Sequence, residues 1–107
     1  MRPVTRAVTG VGVSTPIPLD NYISPFNVGF GVVVSGTVTY TVQHTFDDVF
    51  ASGYTPASGT WFNHPDVASE TANADGNYAF PVTAIRISVA SGSGTATITA
   101  IQAGIAS

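Results

Sequence analysis

Between Gly36 and Phe46 the chain alternates without interruption. Val38, Tyr40, Val42, His44 and Phe46 fall on one side of an extended backbone, and Thr37, Thr39, Thr41, Gln43 and Thr45 fall on the other. A period of two is the signature of a strand with one face buried and one face wet, and it excludes a helix over these residues. The rest of the chain uses the same vocabulary of Val, Thr, Ile and aromatics, punctuated by Gly, Pro, Ser and Asn.

A second region of the same kind closes the chain. Ala84-Ile85-Arg86-Ile87-Ser88-Val89-Ala90 and Thr95-Ala96-Thr97-Ile98-Thr99-Ala100-Ile101-Gln102 flank the loop Ser91-Gly92-Ser93-Gly94. They are expected to form a hairpin, with Ile85, Ile87 and Val89 facing the same interior as Ala96, Ile98 and Ala100 while Arg86 and Ser88 point away. Upstream, Val28 to Val34 meets the alternating strand through Ser35-Gly36, which is also a hairpin signal. Gly29 and Gly31, on either side of Phe30, mark a bulge or a place where another backbone approaches closely.

The segment before Val28 carries Pro16, Pro18 and Pro25. Each removes a backbone donor and biases its predecessor toward extended geometry, so residues 1–27 are expected to form an edge strand or an extended N-terminal arm, with the sandwich proper over 28–107. Asp47 to Tyr78 is the least regular stretch. It is expected to hold one or two short strands and a helical turn over Asp66 to Ala72, ending in a turn at Asn73-Ala74-Asp75-Gly76-Asn77. At 107 residues the chain is one domain with one core. Short strands, frequent turns and no long amphipathic helix predict an all-β, single-domain β-sandwich, jelly-roll-like, with an extended N-terminal arm.

Charge narrows the function. Only 8% of residues are charged, against roughly 25% in typical soluble proteins. There is no lysine, and Arg2, Arg6 and Arg86 are outnumbered by Asp20, Asp47, Asp48, Asp66, Glu70 and Asp75, so no large basic patch for nucleic acid can be built. A surface with few charges offers little repulsion to a neighbour, which favours a subunit of an assembly. With no cysteine, disulfides and thiolate metal sites are excluded. The N-terminus lacks the apolar core of a secretory signal and no apolar run reaches the roughly 20 residues of a membrane span, so a cytoplasmically made protein without membrane contact is expected.

Few residues could carry chemistry. His44, His64, Asp47, Asp48 and Asp66 are the one cluster of conceivable metal ligands or acid-base groups. Their spacing matches no recurring metal motif, and a histidine on an apolar face is more often a hydrogen-bonded core residue. The adjacent carboxylates Asp47 and Asp48 would point to opposite faces of an extended chain, so a strand-ending turn is favoured over a catalytic pair. Asn73, Asp75 and Asn77 alternate as in calcium loops but lack the closing acidic residue. The expectation is therefore no enzyme, no cofactor and no metal. Trp61 and Phe62 are adjacent, so in an extended backbone one of them must face outward. That ring is the best candidate for a partner contact or, as an alternative, for stacking on carbohydrate.

Several stretches together resemble small structural proteins of tailed bacteriophages. They are Thr39-Tyr40-Thr41-Val42-Gln43-His44-Thr45-Phe46-Asp47-Asp48, Trp61-Phe62-Asn63-His64-Pro65, the run from Asp75 through Arg86, and the run from Ser93 through Gly104. The likeness covers roughly residues 28 to 104, and among functional groups the chain resembles the cement or decoration proteins of short-tailed phages in size and in a jelly-roll-like β design. The resemblance implies a virion protein made in the host cytoplasm that binds the outside of the head and bridges and reinforces major capsid subunits. It also implies association with its own copies, often as dimers. No catalytic residue is carried over. On this reading the candidate contacts are Arg2 and Arg6, placed to meet acidic capsid groups, together with Phe26 on the arm and Trp61 and Phe62. The alternative is a phage tail or head-fibre module that binds carbohydrate.

Overall fold

The alternation between Val38 and Thr45 is realised as a strand whose even-numbered residues are buried, and it sits beside another long strand of the same pattern. In the computed structural model, residues 4–19, 27–47, 59–78 and 82–103 are described. They form nine strands: β1 Val4–Thr9, β2 Gly12–Val13, β3 Ile17–Pro18, β4 Asn27–Ser35, β5 Val38–Thr45, β6 Phe62–Asn63, β7 Ala74–Tyr78, β8 Ala84–Gly92 and β9 Thr95–Ala103. No helix occurs among the described residues. Two antiparallel sheets, β1-β9-β4-β7 and β2-β8-β5-β6 with β3 also on β8, pack into a β-sandwich.

The strand orders reveal how the sandwich is made. β1, β9 and β4 stand in the same order as β2, β8 and β5, and each member of the first trio is joined directly in the chain to its counterpart in the second. The molecule is therefore a three-stranded ribbon folded in half, with residues 84–103 as the middle chain. Its three folds lie side by side at Gly10-Val11, Gly36-Thr37 and Ser93-Gly94. Gly10 N–H donates to the Gly94 carbonyl at 2.9 Å, and Gly94 N–H donates to the Thr37 carbonyl at 3.0 Å.

This corrects both expected hairpins. β4 does not pair with β5, nor β8 with β9: β4 pairs with β9 (Val32 opposite Ile98) and β5 with β8 (Val42 opposite Ile87). Ser-Gly serves a sheet-switching corner as readily as a hairpin turn, since both need a tight reversal of strand direction. Gly36 at φ 82° and Gly92 at φ 104° occupy backbone that L side chains rarely adopt. The expected sidedness of β8 and β9 is found: Ile85, Ile87, Val89, Ala96, Ile98 and Ala100 are all buried, facing one another across the sandwich.

The core is aliphatic at its centre, with Val28, Val32, Val38, Val42, Ile85, Ile87 and Ile98 essentially inaccessible, and Tyr40 and Tyr78 at its margin toward β6 and β7. The described part of the N-terminal segment forms β1, β2 and β3 on the edges of this same sandwich. Between β2 and β3 the ladder onto β8 is carried by Ser14, whose N–H donates to the Ile87 carbonyl at 2.9 Å and whose hydroxyl accepts the Ile87 N–H at 3.0 Å.

Three further expectations are corrected. Gly29 and Gly31 lie in an unbroken ladder with β9 and β7 and carry no bulge. The bulge lies instead between Thr39 and Tyr40, opposite Ser91 and Val89. Residues 66–72 form bends and not a helical turn, because their backbone groups bond sideways to β5. Val42 N–H donates to the Val67 carbonyl at 3.0 Å, Tyr40 and Glu70 exchange both bonds, and Ser69 takes a φ of 52° to make the approach. Asp75-Gly76-Asn77 is no turn but the middle of β7. Gly76 is there for space: a β-carbon would sit 2.9 Å from the Phe30 ring.

Candidate partner surface

The gap between the edge strands β6 and β7 is closed by aromatic rings. Residues 63–74 cross from one sheet to the other, held by His64 N–H donating to the Val42 carbonyl at 2.8 Å, the Tyr40 hydroxyl donating to the Ala72 carbonyl at 2.6 Å, and Val34 N–H donating to Asn73 Oδ1 at 2.8 Å. Alternation on β5 points His44 inward, and alternation on β7 does the same for Tyr78, so the two meet with a 2.9 Å hydrogen bond between His44 Nδ1 and the Tyr78 hydroxyl. His64 stands edge-on to Tyr78 at 4.9 Å and to Phe30 at 5.2 Å.

Both histidines are buried and engaged. His64 Nδ1 accepts the Asp66 N–H at 3.1 Å, which leaves the proton on Nε2, and that atom donates to the Asn77 carbonyl at 3.1 Å. Burial, and then the neighbouring His64, hold His44 below the ordinary histidine range. Burial pushes the Tyr78 phenol well up, and burial with nearby Glu70 does the same for Tyr40. The rings form a neutral clasp between the sheets. Among the described residues, no group of three or more His, Cys, Asp or Glu side chains is arranged to hold a metal ion. Asp47 Oδ2 accepts the Thr60 N–H at 2.8 Å, and Asn73 Oδ1 is spent on Val34, while Asp75 and Asn77 lie on the outer face of β7. Asp48 lies outside the described residues.

Of the candidate contacts, Arg2 and Phe26 lie outside the described residues. Arg6 is half-buried on β1, its guanidinium donating to the Thr5 carbonyl at 3.1 Å. The Trp61-Phe62 pair divides as an extended dipeptide must. Trp61 takes the outer face of the sheet, while Phe62, opposite the inward-pointing His44, lies on the inner side where the opposing sheet ends; it is 48% exposed, stacks near His44 at 5.9 Å and lies 5.7 Å from the Phe46 ring, itself 55% exposed. Trp61 is half-buried, with the Arg86 guanidinium 4.1 Å from its ring centroid. Arg86 Nε also donates to Gln43 Oε1 at 2.9 Å, and Gln43 Nε2 donates to Asn63 Oδ1 at 3.0 Å, so β8, β5 and β6 are tied together across the outer face of that sheet. One face of the indole is thus covered by a cation and is not open for stacking on a sugar.

Phe46 was counted only as part of the alternating strand. Its exposure follows from its place one residue beyond β5, where the opposing sheet no longer covers the inner side. A second surface had no signal in local motifs. The outer face of β1-β9-β4-β7 carries Thr5, Thr9, Thr95, Thr97 and Thr99 with exposed Val33 and Ile101, and Asp75 is its one charge among the described residues. Thr9 and Thr95 are joined through their hydroxyls at 2.9 Å, and Thr5 and Thr99 at 3.2 Å. No protein-family model, curated protein or solved structure matches this chain.

Proposed function

We propose that this protein is a capsid decoration, or cement, protein. It binds the outer surface of a phage head and bridges and stabilises major capsid subunits, acting by contact and not by catalysis. The observation that carries the reading is the nearly charge-free outer face of the β1-β9-β4-β7 sheet, backed by a rigid sandwich. Threonine hydroxyls and scattered Val and Ile can be covered by a neighbour without stripping water from ions, which is the costly step in burying a surface. The same module repeated over a shell gains strength from number, because each added copy braces subunits already held by others. The resemblance to decoration proteins of short-tailed phages supplies the partner, the major capsid protein, and the place, the virion exterior.

The test is to mix purified protein with heads that lack it, pellet the heads and count the copies retained. Saturable binding at a fixed ratio to the major capsid protein supports the reading, together with heads that resist heat or chelation better once loaded. Absence of binding overturns it and turns attention to a tail or fibre module.

A further inference from the structure

His64 holds the start of the 63–74 crossing through a ring nitrogen. Pro65 has no N–H, so the first backbone donor after that of His64 belongs to Asp66, and His64 Nδ1 accepts it at 3.1 Å. The bond runs from a side chain to the backbone two residues on, the closure that an Asx turn makes with an oxygen. Beyond it the crossing lies along the same edge of β5 as β6. The buried Val67 accepts the Val42 N–H through its carbonyl at 3.0 Å, Ser69 N–H donates to Thr41 Oγ1 at 3.0 Å, and Glu70 exchanges both backbone bonds with Tyr40. An imidazole differs from an Asx oxygen in one respect: the atom that accepts the turn's hydrogen bond is also the atom that takes up a proton.

The ring has no room to turn away from that bond. It is 4% exposed, its centroid lies 5.2 Å from that of Phe30 and 4.9 Å from that of Tyr78, and a β-carbon on Gly76 would stand 3.4 Å from its Cε1. A proton on Nδ1 therefore sets one N–H against the N–H of Asp66, while Nε2–H stays on the Asn77 carbonyl at 3.1 Å. Among the described residues, none of the groups packed against the ring carries a negative charge. β5 brings His44, which repels a second positive ring, β7 brings the Tyr78 phenol, kept protonated by burial, and β4 brings Phe30. On the crossing itself Asp66 is exposed, and its carboxylate makes no ion pair with the ring. We infer that His64 is a proton-operated latch: in acid its bond to the Asp66 N–H is lost and residues 66–72 leave β5, while the two sheets stay folded. Opening uncovers Val67 and the backbone groups of β5 from Tyr40 to Val42, a sheet edge that neutral conditions keep covered. The inference does not rest on the capsid reading.

The test is amide hydrogen exchange of the full chain, followed by NMR from about pH 8 to about pH 5, the range over which histidine changes charge, with rates corrected for the intrinsic effect of pH. Protection at Asp66, Val42 and Glu70 is expected to fall at least tenfold further than protection along the β4-β9 ladder. His64→Asn puts an oxygen where Nδ1 stands and takes up no proton, so in that variant the extra fall is expected to vanish. His44→Gln is expected to leave it in place. Equal loss at the crossing and the ladder overturns the inference, as does an extra fall that persists in the first variant or disappears in the second. If either variant does not fold, imidazole nitrogen spectra of the wild type decide. Protonation of His64 Nδ1 is expected to coincide with loss of protection at the Asp66 amide. A ring that takes its proton while that amide stays protected, or one still neutral at about pH 5, overturns the inference.

Discussion

Tyr78 is the residue on which the clasp between the two sheets turns. Its ring touches Phe30, His44 and His64, and its hydroxyl shares a hydrogen bond with His44 Nδ1. Tyr78→Phe keeps the shape but leaves the buried imidazole one partner short, and is expected to lower stability in urea by about 1 to 3 kcal/mol. The same cluster sets the pH range of the fold. His44 binds its proton less readily folded than unfolded, so as pH falls through the ordinary value of 6.5 the unfolded chain takes up a proton that the folded one refuses, and stability declines toward acid. Tyr40 and Tyr78 release their protons less readily folded than unfolded, so stability is lost as pH rises through 10.0. Melting temperatures measured from pH 5 to pH 11 are expected to show a plateau between these limits. Replacing His44 by Gln should flatten the acid limb and leave the alkaline limb in place.

At the scale of elements, the corners carry the fold. A β-carbon on Gly92 would overlap the Thr37 carbonyl oxygen, and one on Gly94 would overlap that of Ser35. Both clashes are with backbone at the point where two folds of the ribbon cross. Gly92→Ala and Gly94→Ala are each expected to cost about 3 kcal/mol or more, or to prevent folding, as read by urea titration. Gly10→Ala, with nothing within 4 Å of the added carbon, is expected to cost only the strain of its positive φ of 74°, about 1 to 2 kcal/mol. These corners explain what could be read in advance. Period-two alternation reported which side of β5, β8 and β9 is buried, because burial acts residue by residue along the strand. It could not report which strand lies alongside, since inward-facing residues look the same whether the next strand belongs to the same sheet or the opposite one. The clasp was visible only as two histidines of doubtful role, because Tyr78, His44 and His64 come together through the 63–74 crossing, whose backbone bonds to β5 leave no periodic trace. Gly76 looked like a turn residue for the same reason: its small size answers to Phe30, far away in the chain.

At the scale of the molecule, the scarcity of charge governs how it meets others. If the protein decorates a shell as proposed, its 8% charged residues and an outer sheet face holding only Asp75 among the described residues mean that the contact draws little on ion pairs. Head binding is expected to change less than threefold between about 0.05 M and 0.5 M salt, over which the Debye length falls from above 10 Å to a few ångströms. A steep loss across that range would show that charges outside this sheet face carry the contact. The ribbon folded in half has a consequence in time. Its middle chain, residues 84–103, is made after both flanks, residues 4–18 and 27–45, and must thread between them, and no other described strand holds those flanks together. Nearly every ladder therefore closes a long loop before it gains anything, which places folding in the millisecond-to-second class of non-local β proteins. Pulled apart at Val4 and Ala103, the finished molecule is loaded at the one end of the sheet where the start of β1, the end of β9 and the start of β4 lie side by side, so the ladders on both sides of β9 open residue by residue from that end.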